Sequence, residues 1–372
     1  MPGPRGNVVM NALWTAVIVT ALSGTTAIAV GQGQDRKPDQ KQPDANAQAQ
    51  AQEIQNLVHI ADAAMTGQSA PADFPIQFQN DFLKAQASRV WIPITLTLDP
   101  AKLPSGALTL YLRVTPRGMT SPPAPPAADP KKNDRDKKKD NKQPAAAPPS
   151  PYPFEDMSFL DLKPVAGQPL RILRGFGVPA GSYDVYIVLR ERAAAGATPK
   201  ASVLKQPLDV PNYATGEFST SSVLLAERID TLPSAVTPEQ QSEHPYAFGQ
   251  QEIVVSPDHK FKKSQELIVL LQIYNPTVSA EKKFSLEATY TFYRQGTDGE
   301  KKFNSTEPQV FTPESMGAGF DPSAAEHSIQ AGQGIPLQSF PEGTYRLEIK
   351  VTDKLATPGK VVTQNVNFTV TS

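Results

Sequence analysis

Cysteine is absent from all 372 residues of this chain. Its absence excludes disulfides, thiolate nucleophiles, cysteine-ligated zinc, iron–sulfur clusters and a lipid-modified N-terminal cysteine. Without disulfides the fold must be held by ordinary burial, and a chain of this length is long enough for two hydrophobic cores.

The chain also has no marked excess of positive or negative charge: its formal net charge is −1. Such a balance gives no general attraction to nucleic acid or to an anionic membrane. Hydrophobic residues make up only 39% of the chain, and its 37 prolines are unevenly spread. Clustered prolines indicate linkers within an otherwise globular chain.

Long apolar runs occur only at the N-terminus. Arg5 precedes a mostly apolar stretch at residues 8–22, and Ala27-Ile28-Ala29 places small residues where a signal peptidase cleaves. We predict a cleaved signal peptide over residues 1–29, with an uncleaved anchor as the alternative. The mature protein is then periplasmic or extracellular and has no transmembrane segment.

The next segment, residues 30–69, is rich in Gln, Ala, Asp and Pro and predicts a disordered linker. Within it, residues 53–66 can form a short helix, because Leu57 and Ile60 fall on one face. From Phe74 onward the pattern changes to short segments rich in β-branched and aromatic residues, without a long helix. Pro93 indicates that its strand lies at a sheet edge or begins there.

Residues 117–151 interrupt this β pattern with proline-rich and charged runs. Between Asp129 and Gln143 there are seven basic and four acidic residues. We predict a disordered insert, because such a composition cannot bury enough apolar area to fold. It is either a solvated loop between two strands or an electrostatic tether to an acidic partner.

An internal repeat about 160 residues apart organises the chain. Residues 178–187 match residues 340–349, and each copy runs Pro-x-Gly-[Ser/Thr]-Tyr into an alternating strand. Gly181 and Gly343 suit a tight turn, and Tyr183 and Tyr345 stand where immunoglobulin-like sandwiches place a tyrosine corner. Each copy ends in a last strand, at Leu208-Asp209-Val210 and at Phe368-Thr369-Val370.

The repeat predicts an all-β fold of two tandem immunoglobulin- or fibronectin-III-like sandwiches. The upstream parts agree, since residues 74–100 align with residues 248–276 when a two-residue gap is allowed. We place the domains at residues 70–212 and 215–372. The hinge between them is short, so we expect the domains to keep a preferred orientation.

Three phrases of the second half resemble a known group of proteins. These are QPLDVPNYATGEFSTSSVLLAERI, EIVVSPDHKFKKSQELIVLLQIYNP and FPEGTYRLEIKVTDKLATPGKVVTQNVNFTV. They look like the C-terminal tandem β-sandwich region of exported acidobacterial VWFA-related or GWxTD-domain proteins. The D-x-S-x-S metal-adhesion motif and the GWxTD sequence are both missing. The resemblance implies an envelope or secreted protein with a role in adhesion or assembly.

Catalytic and metal-binding patterns are scarce. The four histidines, at positions 59, 244, 259 and 327, show no ligand spacing, and there is no nucleophile elbow, P-loop or dinucleotide fingerprint. Ser279-Ala280-Glu281-Lys282 matches S-x-x-K but lies between strands, and Asp298-Gly299 reads as a turn. We therefore predict no catalytic residue, no cofactor and no metal.

Aromatic residues offer the remaining binding candidates. Trp14 lies in the predicted signal, so Trp91 is the only tryptophan of the mature chain. Tyr290 and Tyr293 are candidates for a carbohydrate platform, although Tyr290 alternates with Phe292 on one strand face and therefore suits a core.

These observations favour a non-enzymatic binding or scaffold protein. Its expected partner is another envelope or secreted protein, recognised through sheet edges or loops at one end of a sandwich. One alternative is a carbohydrate-binding module for cell-wall glycans. The other is a hydrolase with a site between the two domains, which requires His, Asp, Glu or Ser residues to converge there.

Overall fold

The computed structural model describes residues 45–103, 105–121, 150–165, 167–192, 196–316, 320–321 and 328–372. Most of these residues form antiparallel sheets, together with helices α1 (Ala45–Met65) and α2 (Pro313–Met316) and two 3-10 turns (Pro100–Lys102 and Leu337–Ser339). The predicted all-β sandwich fold is confirmed. The signal peptide and most of the insert, residues 122–149, lie outside the described residues.

Eight strands form the first sandwich: β1 (Gln77–Asn80), β2 (Leu83–Lys84), β3 (Arg89–Leu98), β4 (Ala107–Pro116), β5 (Phe154–Asp161), β6 (Leu170–Pro179), β7 (Gly181–Glu191) and β8 (Ala201–Val210). Sheet I has the order β5-β4-β7-β8. In sheet II, β3 pairs with β6 on one side and with β1 and β2 on the other. Alternate residues of β3, β4 and β7 point inward and fill the core between these sheets.

Helix α1 covers the outer face of sheet I. Leu57 and Ala61 are fully buried against Tyr111 of β4 and Val188 of β7. The short helix predicted at residues 53–66 is therefore present but begins earlier, at Ala45, and the prediction that the rest of residues 45–69 is a disordered linker was wrong. The helix is 21 residues long, and it is stabilised by the sheet rather than by its own weak periodicity.

Pro93 lies in a central strand, so its predicted edge position was wrong. Asn80 pairs with Ile94 and Leu83 with Trp91, which keeps β1 and β2 in one continuous register opposite β3. Asp81, opposite Pro93, donates its N–H to the Pro93 carbonyl at 3.0 Å. Because proline has no N–H, Pro93 cannot donate a hydrogen bond to Asp81 in turn. The pairing is therefore interrupted between β1 and β2, although the register is the same on both sides of the interruption.

Twelve strands form the second sandwich: β9 (Ser219–Thr220), β10 (Leu224–Thr231), β11 (Ala247–Phe248), β12 (Gln251–Val255), β13 (Lys260–Lys262), β14 (Glu266–Tyr274), β15 (Leu286–Gly296), β16 (Gly299–Ser305), β17 (Gln309–Phe311), β18 (Ile329–Pro336), β19 (Gly343–Asp353) and β20 (Lys360–Thr371). Sheet III has the order β11-β12-β10-β14-β18, with β9 also on β14. Sheet IV has the order β13-β20-β19-β15-β16, with β17 also on β15. Strand β13 runs parallel to the end of β20, and a second core fills the space between these sheets.

The two copies of the repeat differ in strand order at one sheet edge. In the sequence match, β12 corresponds to β1, which pairs directly with β3. In the second copy, β10 lies between β12 and β14. The additional strand is followed by residues 232–250, a long connection that returns to β12 and contacts the first sandwich.

Candidate functional site

The repeated turns hold both predicted tyrosines in equivalent positions. The Tyr183 hydroxyl donates to the Pro179 carbonyl at 3.0 Å, and the Tyr345 hydroxyl donates to the Pro341 carbonyl at 2.6 Å. Burial raises the pKa of each of these phenols. In each turn a hydroxyl therefore returns to the carbonyl four residues upstream, which is the geometry of a tyrosine corner.

The glycines before these tyrosines adopt backbone angles that side chains disfavour. Gly181 has φ +155° and Gly343 has φ +142°. Each starts the strand that carries the tyrosine, β7 or β19. These four residues therefore build the turns, which is a structural role.

The three aromatic binding candidates lie in three different places. Tyr290 is fully buried in the core of the second sandwich and donates to the Gln309 side chain at 3.1 Å. Tyr293 lies on the outer face of sheet IV, where the Arg346 guanidinium is 4.2 Å from its ring centre. Trp91 lies on the outer face of sheet II, against the second sandwich. The structure does not bring them together into one platform.

The edge of sheet II is covered by the second sandwich. Phe82 donates its N–H to the Ser222 hydroxyl at 2.9 Å and accepts the Ser222 N–H at 3.0 Å. Lys84 donates its N–H to the Tyr274 hydroxyl at 2.9 Å. The β1–β2 strand is thus sealed on its outer side by groups from beyond the hinge, as an exposed edge requires.

Residues of the hinge itself are packed rather than free. Tyr213 is buried, and its ring centre lies 4.8 Å from that of Tyr274. Tyr274 itself contacts the core of the first sandwich, although it belongs to β14 of the second. The predicted hinge is therefore part of an interface.

The connection at residues 232–250 covers the outer face of sheet II. Trp91 donates its indole N–H to the Pro245 carbonyl at 2.9 Å, and Gly175 donates its N–H to the Ser242 carbonyl at 2.8 Å. Arg174 lies 3.7 Å from Glu243. We call this segment, residues 232–250, the clamp loop.

An apolar cluster lies beneath the clamp loop. Tyr246 is buried together with Leu224, Ala226 and Ile253 of sheet III, and Leu173 of β6 packs against this cluster. The outer faces of sheets II and III thus share a small core of their own. Apolar burial and directional hydrogen bonds act together to fix one sandwich on the other.

Asp81 stands beside this interface in a cleft of about 210 Å³. Its carboxylate accepts the Tyr246 hydroxyl at 2.7 Å. Burial raises the pKa of Asp81 to about 6, although hydrogen bonds from Tyr246 and Ser222 oppose the rise. Burial also raises the pKa of Tyr246 well above its ordinary value. The cleft is lined by Gln79, Asn80, Asp81, Thr95, Val223, Leu224, Leu225, Tyr246, Val255, Ser256, Pro257 and His259.

The lining of this cleft includes the serine, histidine and aspartate that a hydrolase would use, but these side chains are not hydrogen-bonded to one another as a catalytic chain. The Ser256 hydroxyl donates to Asp258 at 3.3 Å. His259 shares a hydrogen bond through Nδ1 with the Asn367 carbonyl at 3.0 Å, and burial lowers the pKa of its ring. No serine–histidine–carboxylate chain is formed among the described residues of the cleft.

Metal ligands are not clustered in the described part of the chain. There, no three His, Asp or Glu side chains lie together as a metal site. His244 pairs with Glu252 at 2.9 Å, and His327 lies outside the described residues.

Sequence reasoning missed a second polar centre, under helix α1. Arg113 is only 2% exposed, forms ion pairs with Asp62 and Glu155, and lies 4.1 Å from the ring centre of Tyr152. Burial alone would lower the pKa of Arg113, but the hydrogen bond to Asp62 and the neighbouring charges raise it. Every residue of β4 from Leu108 to Thr115 is buried. That pattern signals a further layer outside sheet I. The sequence did not reveal it, because the outer face of β4 carries Thr109, Arg113 and Thr115.

No protein-family model and no curated protein matches this chain. Nor does any helix of the described segments have the length and apolarity needed to cross a bilayer.

Proposed function

We propose that this protein is an exported, non-enzymatic binding or scaffold protein that acts through protein–protein contacts in the cell envelope. The observation that carries the proposal is the fixed junction between the two sandwiches. Ser222, Tyr246 and Tyr274 provide polar contacts across it, and the clamp loop covers the outer face of sheet II. A rigid pair of sandwiches presents its loops and edges at a constant spacing, which suits assembly of other proteins.

Sequence features support the location. The signal-peptide pattern of residues 1–29 directs export, and the phrases shared with acidobacterial VWFA-related and GWxTD-domain proteins point to an envelope or extracellular role. The lack of cysteine suits a protein whose stability comes from burial.

The test uses residues 30–372 as bait in native envelope extract, with crosslinking and mass-spectrometric identification. We expect a partner that is recovered saturably and is displaced by the same protein free in solution. Recovery of nothing at any salt concentration would contradict the proposal. A bait lacking residues 119–150 serves as control, because a solvated insert should not alter recovery.

A hydrolase acting at the interdomain cleft is the second candidate. Asp81 favours it, since a carboxyl group that holds its proton near neutral pH resembles a general acid. Ester, glycoside and peptide substrates should be assayed with the native chain and with Asp81→Asn. Turnover that Asp81→Asn abolishes would replace the binding proposal, whereas absence of turnover on every substrate would remove this candidate.

A further inference from the structure

Strand β20 has one paired side and one open side. Strand β19 pairs with it along its whole length, from Lys360 to Val370. On the other side, β13 pairs with β20 at Thr369, Val370 and Thr371 alone among the described residues. No described strand pairs with residues 361–367 on this side, although the Asn367 carbonyl already shares a hydrogen bond with His259 Nδ1 at 3.0 Å. The outward side chains of these residues are exposed.

The open side can be assigned to particular backbone groups. Thr369 donates its N–H to the His259 carbonyl, and the Thr371 carbonyl accepts the Lys263 N–H, each at 2.8 Å. Alternate residues of a strand direct their N–H and C=O groups to the same side. Val361, Thr363 and Asn365 therefore present unpaired donors and acceptors along this edge.

The first copy of the repeat protects the equivalent edge. In β8, Val203 donates its N–H to the Pro71 carbonyl at 2.9 Å, and the Ala201 carbonyl accepts the Asp73 N–H at 3.0 Å. Further along β8, Pro207 has no N–H to offer, and Lys205 is charged. Covering segments, proline and lysine are the usual means by which proteins block an edge strand.

Among the described residues, the second copy lacks each of these protections over residues 361–366. The match of Leu208-Asp209-Val210 with Phe368-Thr369-Val370 places Asn367 at the position of Pro207 and Asn365 at that of Lys205. Residues 361–371, VVTQNVNFTVT, contain neither a charge nor a proline. A long, neutral, β-branched edge strand is a template for another strand.

We propose that two copies of this chain pair through β20, antiparallel and about a two-fold axis at Gln364, into one continuous sheet. In this register Val361 faces Asn367 of the second copy and Thr363 faces Asn365. Because each Asn367 carbonyl is already bonded to His259, about six hydrogen bonds can form between the strands. The interface is isologous, as is usual for homodimers.

Two further properties favour a second copy as the occupant. Val362 and Val366 point inward, are only partly buried, and pack against the core of the second sandwich. The two-fold register places Val362 opposite Val366 of the other copy, so the core continues across the axis. Because the strand is neutral, two copies approach without like-charge repulsion. The pairing goes beyond the proposed function and does not depend on it.

Sedimentation of the mature chain over a wide concentration range tests the pairing. We expect a concentration-dependent dimer, and we expect Thr363→Lys with Asn367→Pro to leave only monomer. Asn367→Pro reproduces Pro207 of the first copy and removes an N–H that β19 does not use, so the thermal unfolding midpoint should stay unchanged. A monomer at every concentration, or a dimer that survives in the folded variant, would overturn the proposal.

Hydrogen exchange on the unmodified chain makes the test independent of folding in the variant. Amides of residues 363, 365 and 367 should exchange more slowly at high than at low concentration, while the amide of Val203 in β8 should not change. Equal exchange at both concentrations would contradict the pairing. A failed search for envelope partners, in contrast, would leave these results untouched.

A single introduced cysteine locates the axis. Gln364→Cys places the only cysteine of the chain opposite its own copy, in a non-hydrogen-bonded pair whose Cα atoms are about 4.5 Å apart, which a disulfide can span. We expect a covalent dimer under mild oxidation, and none from Thr344→Cys on the neighbouring strand. Equal crosslinking of both variants would show collision rather than this register.

Discussion

Asp81 is a carboxylic acid whose ionisation is coupled to folding. Burial raises its pKa from 3.8 to about 6, so the folded protein holds this proton more tightly than the unfolded chain. The resulting penalty on folding is absent below the unfolded pKa, grows as pH rises between the two values, and is complete above the folded one. Asp81→Asn removes this penalty, and its amide oxygen can still accept the Tyr246 hydroxyl.

We therefore expect Asp81→Asn to be more stable than the native chain near neutral pH, by at most about 3 kcal/mol. The gain should vanish on acidification below about pH 4, where the carboxyl is protonated in both the folded and the unfolded state. Urea unfolding at several pH values measures both effects. Asp298→Asn, on the exposed turn between β15 and β16, is the control. An equal gain at all pH values would show that ionisation is not its cause.

The two tyrosine corners offer a matched pair of single-atom changes. Tyr183→Phe and Tyr345→Phe each remove a hydroxyl that donates to a proline carbonyl and leave the ring in place. Each should lower the free energy of unfolding by about 1 kcal/mol, since one buried hydrogen bond is lost.

Tyr293→Phe is the control for this pair, because its hydroxyl lies 3.5 Å from Glu348 at the surface. It should change the unfolding free energy very little. If all three variants behave alike in urea unfolding, the corners do not have the structural role assigned to them.

Among the elements, helix α1 depends most on its contacts. Leu57 is fully buried against sheet I, whereas Ile54 is 38% exposed on the same helix. Leu57→Ala should destabilise the docked helix by about 2–4 kcal/mol, because it leaves a cavity between helix and sheet. Ile54→Ala should have a much smaller effect. Hydrogen exchange of the α1 amides measures the docking directly, and similar exchange in both variants would contradict it.

Strands with clear local patterns could be predicted from the sequence. The two Pro-x-Gly turns lead into the alternating strands β7 and β19, as the repeat predicts. Here alternation, turn residues and length all favour the same structure. The short strands β1, β2, β11 and β13 were not predicted, because two to four residues carry too little periodicity. The longer strands β16 and β18 were missed as well: β16 is mostly polar and β18 contains two glycines.

The interdomain cleft could not be predicted in the same way. Asp81 and Tyr246 are 165 residues apart, and neither belongs to a motif. Their contact depends on the insertion of β10 between β12 and β14, a difference in sheet order that the aligned sequences do not reveal. Pro93 led to the wrong prediction of an edge strand. A central strand tolerates one missing N–H when the register continues before and after the proline.

At the scale of the whole molecule, the two sandwiches share an interface that combines three kinds of contact. The edge of β1–β2 is sealed by Ser222 and Tyr274, the face of sheet II is covered by the clamp loop, and the hinge residue Tyr213 is buried between them. Because each contact spans both sandwiches, we expect them to unfold together in one transition. Separating the clamp loop from sheet II should weaken this coupling without altering either core.

Two glycines of β6 allow that separation to be tested with a single methyl group. A Cβ at Gly175 would lie 2.3 Å from the Trp91 ring and 2.9 Å from Pro245, whereas a Cβ at Gly177 would meet nothing closer than 3.5 Å. Gly175→Ala must therefore displace Trp91 or the clamp loop and should cost about 1–3 kcal/mol, as overpacking does. Gly177→Ala should be close to neutral.

The readout follows from the position of Trp91, which lies at this interface and is the only tryptophan in residues 30–372. In Gly175→Ala the fluorescence of Trp91 should shift toward that of an exposed indole. On addition of urea, this fluorescence should change at a lower concentration than the far-UV circular dichroism, because the interface opens before the two cores unfold. In Gly177→Ala and in the native chain the two signals should change together. Coincident transitions in Gly175→Ala, at an unchanged midpoint, would show that the clamp loop does not couple the sandwiches.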